Sequence, residues 1–153
     1  MNETTPLVAS GGVLLRDDGQ MLLVRHAQGP FAGRWSMPLV AVAPSETAED
    51  ALARLLRGVL RVRPGPFAFL DTIEIAGEIT SGGERLIVNV FSCLEWGGEA
   101  GLGAGPYDDA AWAFPGDAST LDLLPEVRDW IAAQLRELAI ATPTPSPQTA
   151  QGA

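Results

Sequence analysis

The sequence predicts a mixed α/β domain in which a mixed sheet lies between helices. Three observations carry that reading. Apolar runs flank an Asp-Gly pair in "VLLRDDGQMLLV", the signal of an antiparallel hairpin. Ala48, Ala51, Leu52, Leu55, Leu56, Val59 and Leu60 recur at helical spacing. Two strand-like segments and a second amphipathic stretch follow. Strands, helix, strands, helix is the order of a layered α/β architecture.

Each element has a local reason. Val13–Leu15 and Met21–Val24 are the hairpin strands, and "QGPFAGRW" is a loop of turn formers. "MPLVAVAP" is a short extended segment bounded by Pro44. Thr47 is positioned to cap the first helix, with Asp50 three residues on. Pro64 is expected to stop that helix near Val62. "GPFAFLDTIEIAGEIT" and "ERLIVNVFSCLEW" read as two strands joined by "SGG". "GGEAGLGAGPYDD" reads as a loop before a short strand, "AAWAF". The second helix, "LPEVRDWIAAQLRELAI", carries an apolar stripe of Val127, Trp130, Ile131, Leu135 and Leu138, with Pro125 in its first turn. Residues 1–6 are expected to be an N-terminal extension, 7–140 one domain, and 141–153 a disordered Pro/Thr/Ser-rich tail.

Composition narrows the function. The net charge is −9 and all ten basic residues are arginine, which disfavours nonspecific contact with nucleic acid or anionic membrane. A few local arginines and backbone amides can still hold a small phosphorylated ligand. No apolar run approaches the ~20 residues of a membrane span. The N-terminus lacks a basic segment followed by an apolar core. The expectation is a cytoplasmic protein. Cys93, the sole cysteine, sits in an apolar strand and reads as a packing residue.

The order of elements, together with "WSMPLVAVAPSETAEDALARLLRGVLRV" from Trp35 to Val62, resembles the Nudix hydrolase (MutT-like) family. That family carries a box, G-x5-E-x7-R-E-U-x-E-E-x-G-U, with U a bulky apolar residue. Glu46, Arg54, Leu56 and Val62 match it; Trp35, Pro38, Thr47, Ala51 and Leu52 match residues common around it. The resemblance implies an α/β/α sandwich and an activity on diphosphates linked to another group, using water and a divalent metal. It also implies that Glu46 and Arg54 tie the loop to the helix by a salt bridge.

The chain departs from the box in a pattern. Val40 and Arg61 stand at its glycines, while Leu55, Gly58 and Val59 stand at the helix glutamates. Positions 55, 58 and 59 share one helix face by i, i+3, i+4 spacing. Magnesium requires oxygen ligands, and these three side chains offer none. The box is therefore read as degenerate, with no metal held there. Mg2+ or Mn2+ is expected only if ligands are relocated. Leu55 and Val59 also widen the apolar face of the helix beyond the ~100° stripe of a surface helix. Something should cover it: the C-terminal helix, a loop, a second copy in a homodimer, or an apolar ligand. Gly58 is expected to mark a close backbone approach, and Arg61 to let the helix run on to the proline.

Other candidates are scattered. Arg25, Arg34 and Arg85 could bind an anion, and His26, the sole histidine, could meet a phosphate. Trp35 could stack on a base or pack in the core. Glu74, Glu78, Glu84, Glu95, Asp108 and Asp109 could serve as base or ligand, against the plainer reading of solvated charges. The expected function is a Nudix-superfamily protein that has lost standard hydrolysis and binds a nucleotide-like ligand or a partner. One alternative is an active hydrolase using Glu46, as a catalytic carboxylate, with Glu78, Glu95 or Asp108. The other is a non-catalytic interaction module.

Overall fold

The structure is a computed structural model, and it describes residues 7–75, 85–102 and 105–141. The strands are β1 (Leu7–Leu14), β2 (Met21–His26), β3 (Trp35–Ser36), β4 (Leu39–Ala41), β5 (Arg63–Pro64), β6 (Ala68–Ile75), β7 (Leu86–Cys93), β8 (Trp96–Gly97) and β9 (Tyr107–Ala113). The helices are α1 (Ala48–Gly58) and α2 (Pro125–Ala141), and a 3-10 helix spans Pro115–Thr120. The expected tail, the N-terminal extension and the "SGG" connection lie outside the described residues.

Two main sheets share the core. One is mixed, in the order β4-β1-β7-β6, and the other runs β3-β2-β9. β1 pairs parallel with β7, from Leu7 opposite Leu86 to Leu14 opposite Cys93, and antiparallel with β4. β2 pairs antiparallel with β3 and β9. A third, two-stranded sheet joins β5 and β8.

The alternation of side chains along strands sends successive residues to opposite faces. Val13, Met21 and Leu23 enter one core with α2 residues Val127, Trp130 and Ile131. Leu14, Leu22 and Val24 enter a second core with α1 residues Leu52, Leu55 and Leu56. The continuous run "MLLV" is thus apolar because both of its faces are covered. The mixed α/β/α arrangement expected from the sequence is the one observed. At Gly12, an added Cβ would lie 3.1 Å from Leu52 Cδ1, so the absent side chain lets α1 lie close on β1.

Thr47 caps α1 as expected: its Oγ1 accepts from the Asp50 amide at 3.0 Å. The end of the helix differs from expectation. α1 stops at Gly58 rather than running to the proline, and Arg61 takes a φ of 63°. The Val62 amide closes on the Leu56 carbonyl at 2.9 Å, and the chain leaves to pair Arg63 with Gly97. Arg61 thus adopts the left-handed conformation that a glycine there takes freely. Gly58 marks no close approach either, because a Cβ added there meets nothing within 4 Å. Arg61→Gly is expected to raise stability by about 1 kcal/mol, the steric cost of a left-handed L-residue less the added freedom of the unfolded glycine. Urea unfolding of the variant checks this; an unchanged midpoint would show that the turn carries no strain.

"YDD" also differs. It was expected to precede the last strand, but β9 begins at Tyr107 and contains all three residues. No helix among the described residues is long and apolar enough to cross a membrane.

Candidate functional site

The loop before α1 is tied to the helix through Glu46 and Arg54. Arg54 Nε donates to Glu46 Oε2 at 2.7 Å and its Nη2 to Oε1 at 2.9 Å, a bidentate pair. Glu46 Oε1 also accepts from the Ala43 amide at 3.0 Å, and Arg54 Nη2 reaches the Ala41 carbonyl at 3.2 Å. Together these bonds fix the loop that joins β4 to α1. They hold the Glu46 carboxyl down to about 2, chiefly through the Arg54 hydrogen bonds.

The three positions at the box glutamates have separate fates. Leu55 is 4% exposed and sits in the core formed with Leu14, Val24 and Tyr107. Val59 packs at the edge of the same core. Gly58 faces open space. The C-terminal end of the apolar face of α1, at Val59 and Leu60, is met from within the chain by residues 100, 101 and 105. Ala100 packs against this core, and the Gly101 amide donates to the Leu60 carbonyl at 3.0 Å. A Cβ added at Gly105 would sit 3.0 Å from Val59 Cγ1, so the absent side chain lets the backbone there lie close on Val59. A loop was one of the four covers the sequence left open, and these residues supply it at that end of the helix. α2 lies on the other face of the sheets.

The remaining candidates do not converge. Arg25 Nε pairs with Asp108 Oδ1 at 2.7 Å, Arg34 Nε lies 3.6 Å from Asp122 Oδ2, and Arg85 Nη1 pairs with Glu74 Oε2 at 2.7 Å. Trp35 is buried in the core with α2, its ring centroid 5.8 Å from the Arg25 guanidinium carbon. The Glu95 side chain is exposed, while its carbonyl accepts from the Gly65 amide at 2.7 Å. Glu78 and Glu84 lie outside the described residues. Among the described residues, no three His, Cys, Asp or Glu side chains come together where they could hold a metal ion. Cys93 is fully buried, as its apolar setting implied.

A cleft opens beside the box loop. It has a volume of about 200 Å3 and is walled by Ala9, Phe31, Leu39, Val40 and Leu86, with His26 at the end of β2. His26 is buried at the end of β2. It is 7% exposed, and Phe31 and Tyr107 meet its ring edge-to-face at 5.4 and 5.3 Å. Its Nε2 lies 2.9 Å from Ser36 Oγ, and that hydroxyl donates to the Met37 carbonyl at 2.6 Å. Burial pushes His26 down to about 4. Tyr107 OH both accepts from the Leu39 amide at 3.0 Å and donates to the Leu39 carbonyl at 2.7 Å. Sequence reasoning missed the roles of Ser36, Phe31 and Tyr107. Tyr107 is the sole tyrosine, but its partner lies 68 residues away, and no local signal marks it.

The two shifted groups predict acid sensitivity in two windows. Unfolded histidine binds a proton from about pH 6.5 downward, whereas folded His26 resists until about 4. The unfolded state therefore holds more protons between those values, and stability falls as pH falls through them. The Glu46 contribution is complete above about 4.5 and is lost as pH falls toward 2. Urea midpoints measured across pH 7 to 3 should decline in both windows. His26→Phe should remove the first window alone, and a flat profile from 7 to 5 would contradict the burial effect.

A capped helix, tied back by an arginine–glutamate pair and laid on a mixed sheet, defines a scaffold class built around a loop-helix box. The chain belongs to the Nudix family: the NUDIX domain matches residues 5–135. It is similar to the nucleoside triphosphatase NudI of Enterobacter sp. (strain 638), with 29% identity over 119 residues, 72% of this chain and 84% of that protein. In fold it is similar to a MutT NUDIX hydrolase from Burkholderia pseudomallei, with 22% identity and a TM-score of 0.74 over 84% of this chain and 97% of that one. It is likewise similar to the NUDIX domain of Shewanella oneidensis NrtR complexed with ADP ribose, with 19% identity and a TM-score of 0.72 over 89% of this chain and 90% of that one.

Proposed function

We propose that this chain is a Nudix protein that binds a nucleotide-like ligand and does not run the metal-dependent hydrolysis of its relatives. One observation carries the reading: Leu55, at the position of the first helix glutamate of the box, is 4% exposed and belongs to the core between α1 and the sheets. Hydrocarbon there gives a hard dication no oxygen to bind. The other two positions, Gly58 and Val59, also lack side-chain oxygens.

The retained carboxylates support the same view. Both oxygens of Glu46 are engaged by Arg54, and Asp108 is engaged by Arg25. A relocated centre built on Glu46 would first have to break a bidentate ion pair that holds the box loop. Among the described residues, the side chains at the box thus do not fit a magnesium ion. Ligand binding is supported by the apolar cleft beside the loop and by the family's members, of which one is a nucleoside triphosphatase and another holds ADP ribose.

The test pairs turnover with binding. Purified protein with Mg2+ or Mn2+ and a panel of nucleoside di- and triphosphates is expected to release no phosphate or pyrophosphate. The same nucleotides without metal are expected to raise the melting temperature, because a ligand that prefers the folded state must stabilise it. Metal-dependent release that Glu46→Gln abolishes would overturn the proposal in favour of an active enzyme. An unchanged melting temperature across the panel would leave an interaction module instead.

A further inference from the structure

The hydrogen bonds around His26 fix the state of its ring. A serine hydroxyl has one proton, and that of Ser36 goes to the Met37 carbonyl at 2.6 Å. Ser36 Oγ must therefore accept from His26, so the proton on the 2.9 Å contact belongs to Nε2. A neutral imidazole carries one N–H, which leaves Nδ1 as a bare acceptor. Among the described residues no donor is found at Nδ1, Nδ1 is not among the fully buried unpartnered atoms, and His26 lines the cleft. Phe31 and Tyr107, both edge-to-face, hold the ring plane, and a half-turn of the ring would forfeit the Ser36 bond. The other cleft residues, Ala9, Phe31, Leu39, Val40, Ala41 and Leu86, present hydrocarbon side chains.

The geometry points to His26 as the specificity-determining residue of this cleft, its Nδ1 lone pair accepting an N–H from the edge of a flat heterocycle such as a nucleobase. The inference rests on the nucleotide-binding reading and goes further by naming the atom that selects. A volume of about 200 Å3 takes one ring system, not a whole nucleotide, so the phosphates would stay outside. In an apolar slot with one oriented acceptor, a ring lacking the matching donor leaves Nδ1 unpaired, and that omission is what discriminates.

His26 is the only histidine, so its ring nitrogens can be followed without assignment in uniformly 15N-labelled protein. The free protein should show an unprotonated Nδ1 and a protonated Nε2. Two probe pairs then test selection: UDP against N3-methyl-UDP, and ADP against N6,N6-dimethyl-ADP. In the pair the cleft accepts, the methylated member should bind about tenfold more weakly, and only the parent should shift the Nδ1 signal. His26→Phe should abolish the difference. Should that variant fail to fold, Ser36→Ala keeps the ring, frees the tautomer, and should mix the nitrogen signals while narrowing the gap. A protonated Nδ1 in the free protein, or equal affinity within each pair, overturns the inference while leaving nucleotide binding intact. Absence of binding by all four probes defeats the underlying reading, and this inference with it.

Discussion

Leu55→Glu is expected to destabilise the protein by about 4 kcal/mol at pH 7, the scale of a buried unpaired charge combined with lost core packing. The side chain is 4% exposed, in a core with Leu14, Val24, Phe91 and Tyr107. Burial favours the neutral carboxyl, so the defect should shrink in mild acid, opposite to the trend of the parent protein. Gly58→Glu, one turn on, should be nearly neutral. Its Cβ enters open space, and exchanging glycine for glutamate at the last helical residue should change stability by no more than about 0.5 kcal/mol, the propensity gain being opposed by a negative charge at the helix C-terminus. Parallel urea titrations of the two variants at pH 7 and 5 check the contrast. A Leu55→Glu protein as stable as the parent would mean that this core opens readily, and would weaken the case against a metal site.

Tyr107→Phe is the second large effect. The hydroxyl satisfies both backbone groups of Leu39, the amide at 3.0 Å and the carbonyl at 2.7 Å, within the core. Removing one oxygen leaves two buried polar groups without that partner, which is expected to cost about 3 kcal/mol. The same bonds tie β9 to β4 beside the cleft, so ligand affinity should fall along with stability. Denaturation and nucleotide titration of the variant read the two losses separately. A loss under 1 kcal/mol would show that Leu39 finds other partners.

Features decided by neighbours in the chain were legible in the sequence. Thr47 and Asp50 are three residues apart, and the cap forms. The Asp-Gly turn forms, Gly19 donating to the Arg16 carbonyl, but the expected hairpin does not: β1 and β2 enter different sheets and meet only at a Leu15–Met21 bridge; the Glu46–Arg54 pair followed from the family resemblance. Features decided by distant chain were not legible. The division into two sheets depends on the parallel pairing of β1 with β7, whose partners are about eighty residues apart. The end of α1 was misjudged because proline is a visible stop, whereas an arginine with φ of 63° breaks a local preference that only the β5–β8 pairing enforces. The burial of His26 had no signal either: a polar residue beside an arginine at a strand end reads as exposed until Ser36, Phe31 and Tyr107 are placed around it.

The strand that carries His26 has a further property. At consecutive positions along β2, Met21 and Leu23 anchor one core while Leu22 and Val24 anchor the other. Neither half of the interior can loosen while its counterpart stays shut, since displacing the backbone drags all four side chains at once. The imidazole at the tip is therefore mounted on a strand held from both sides. Whatever enters beside it meets a wall already set, and must arrive with the right shape instead of moulding one.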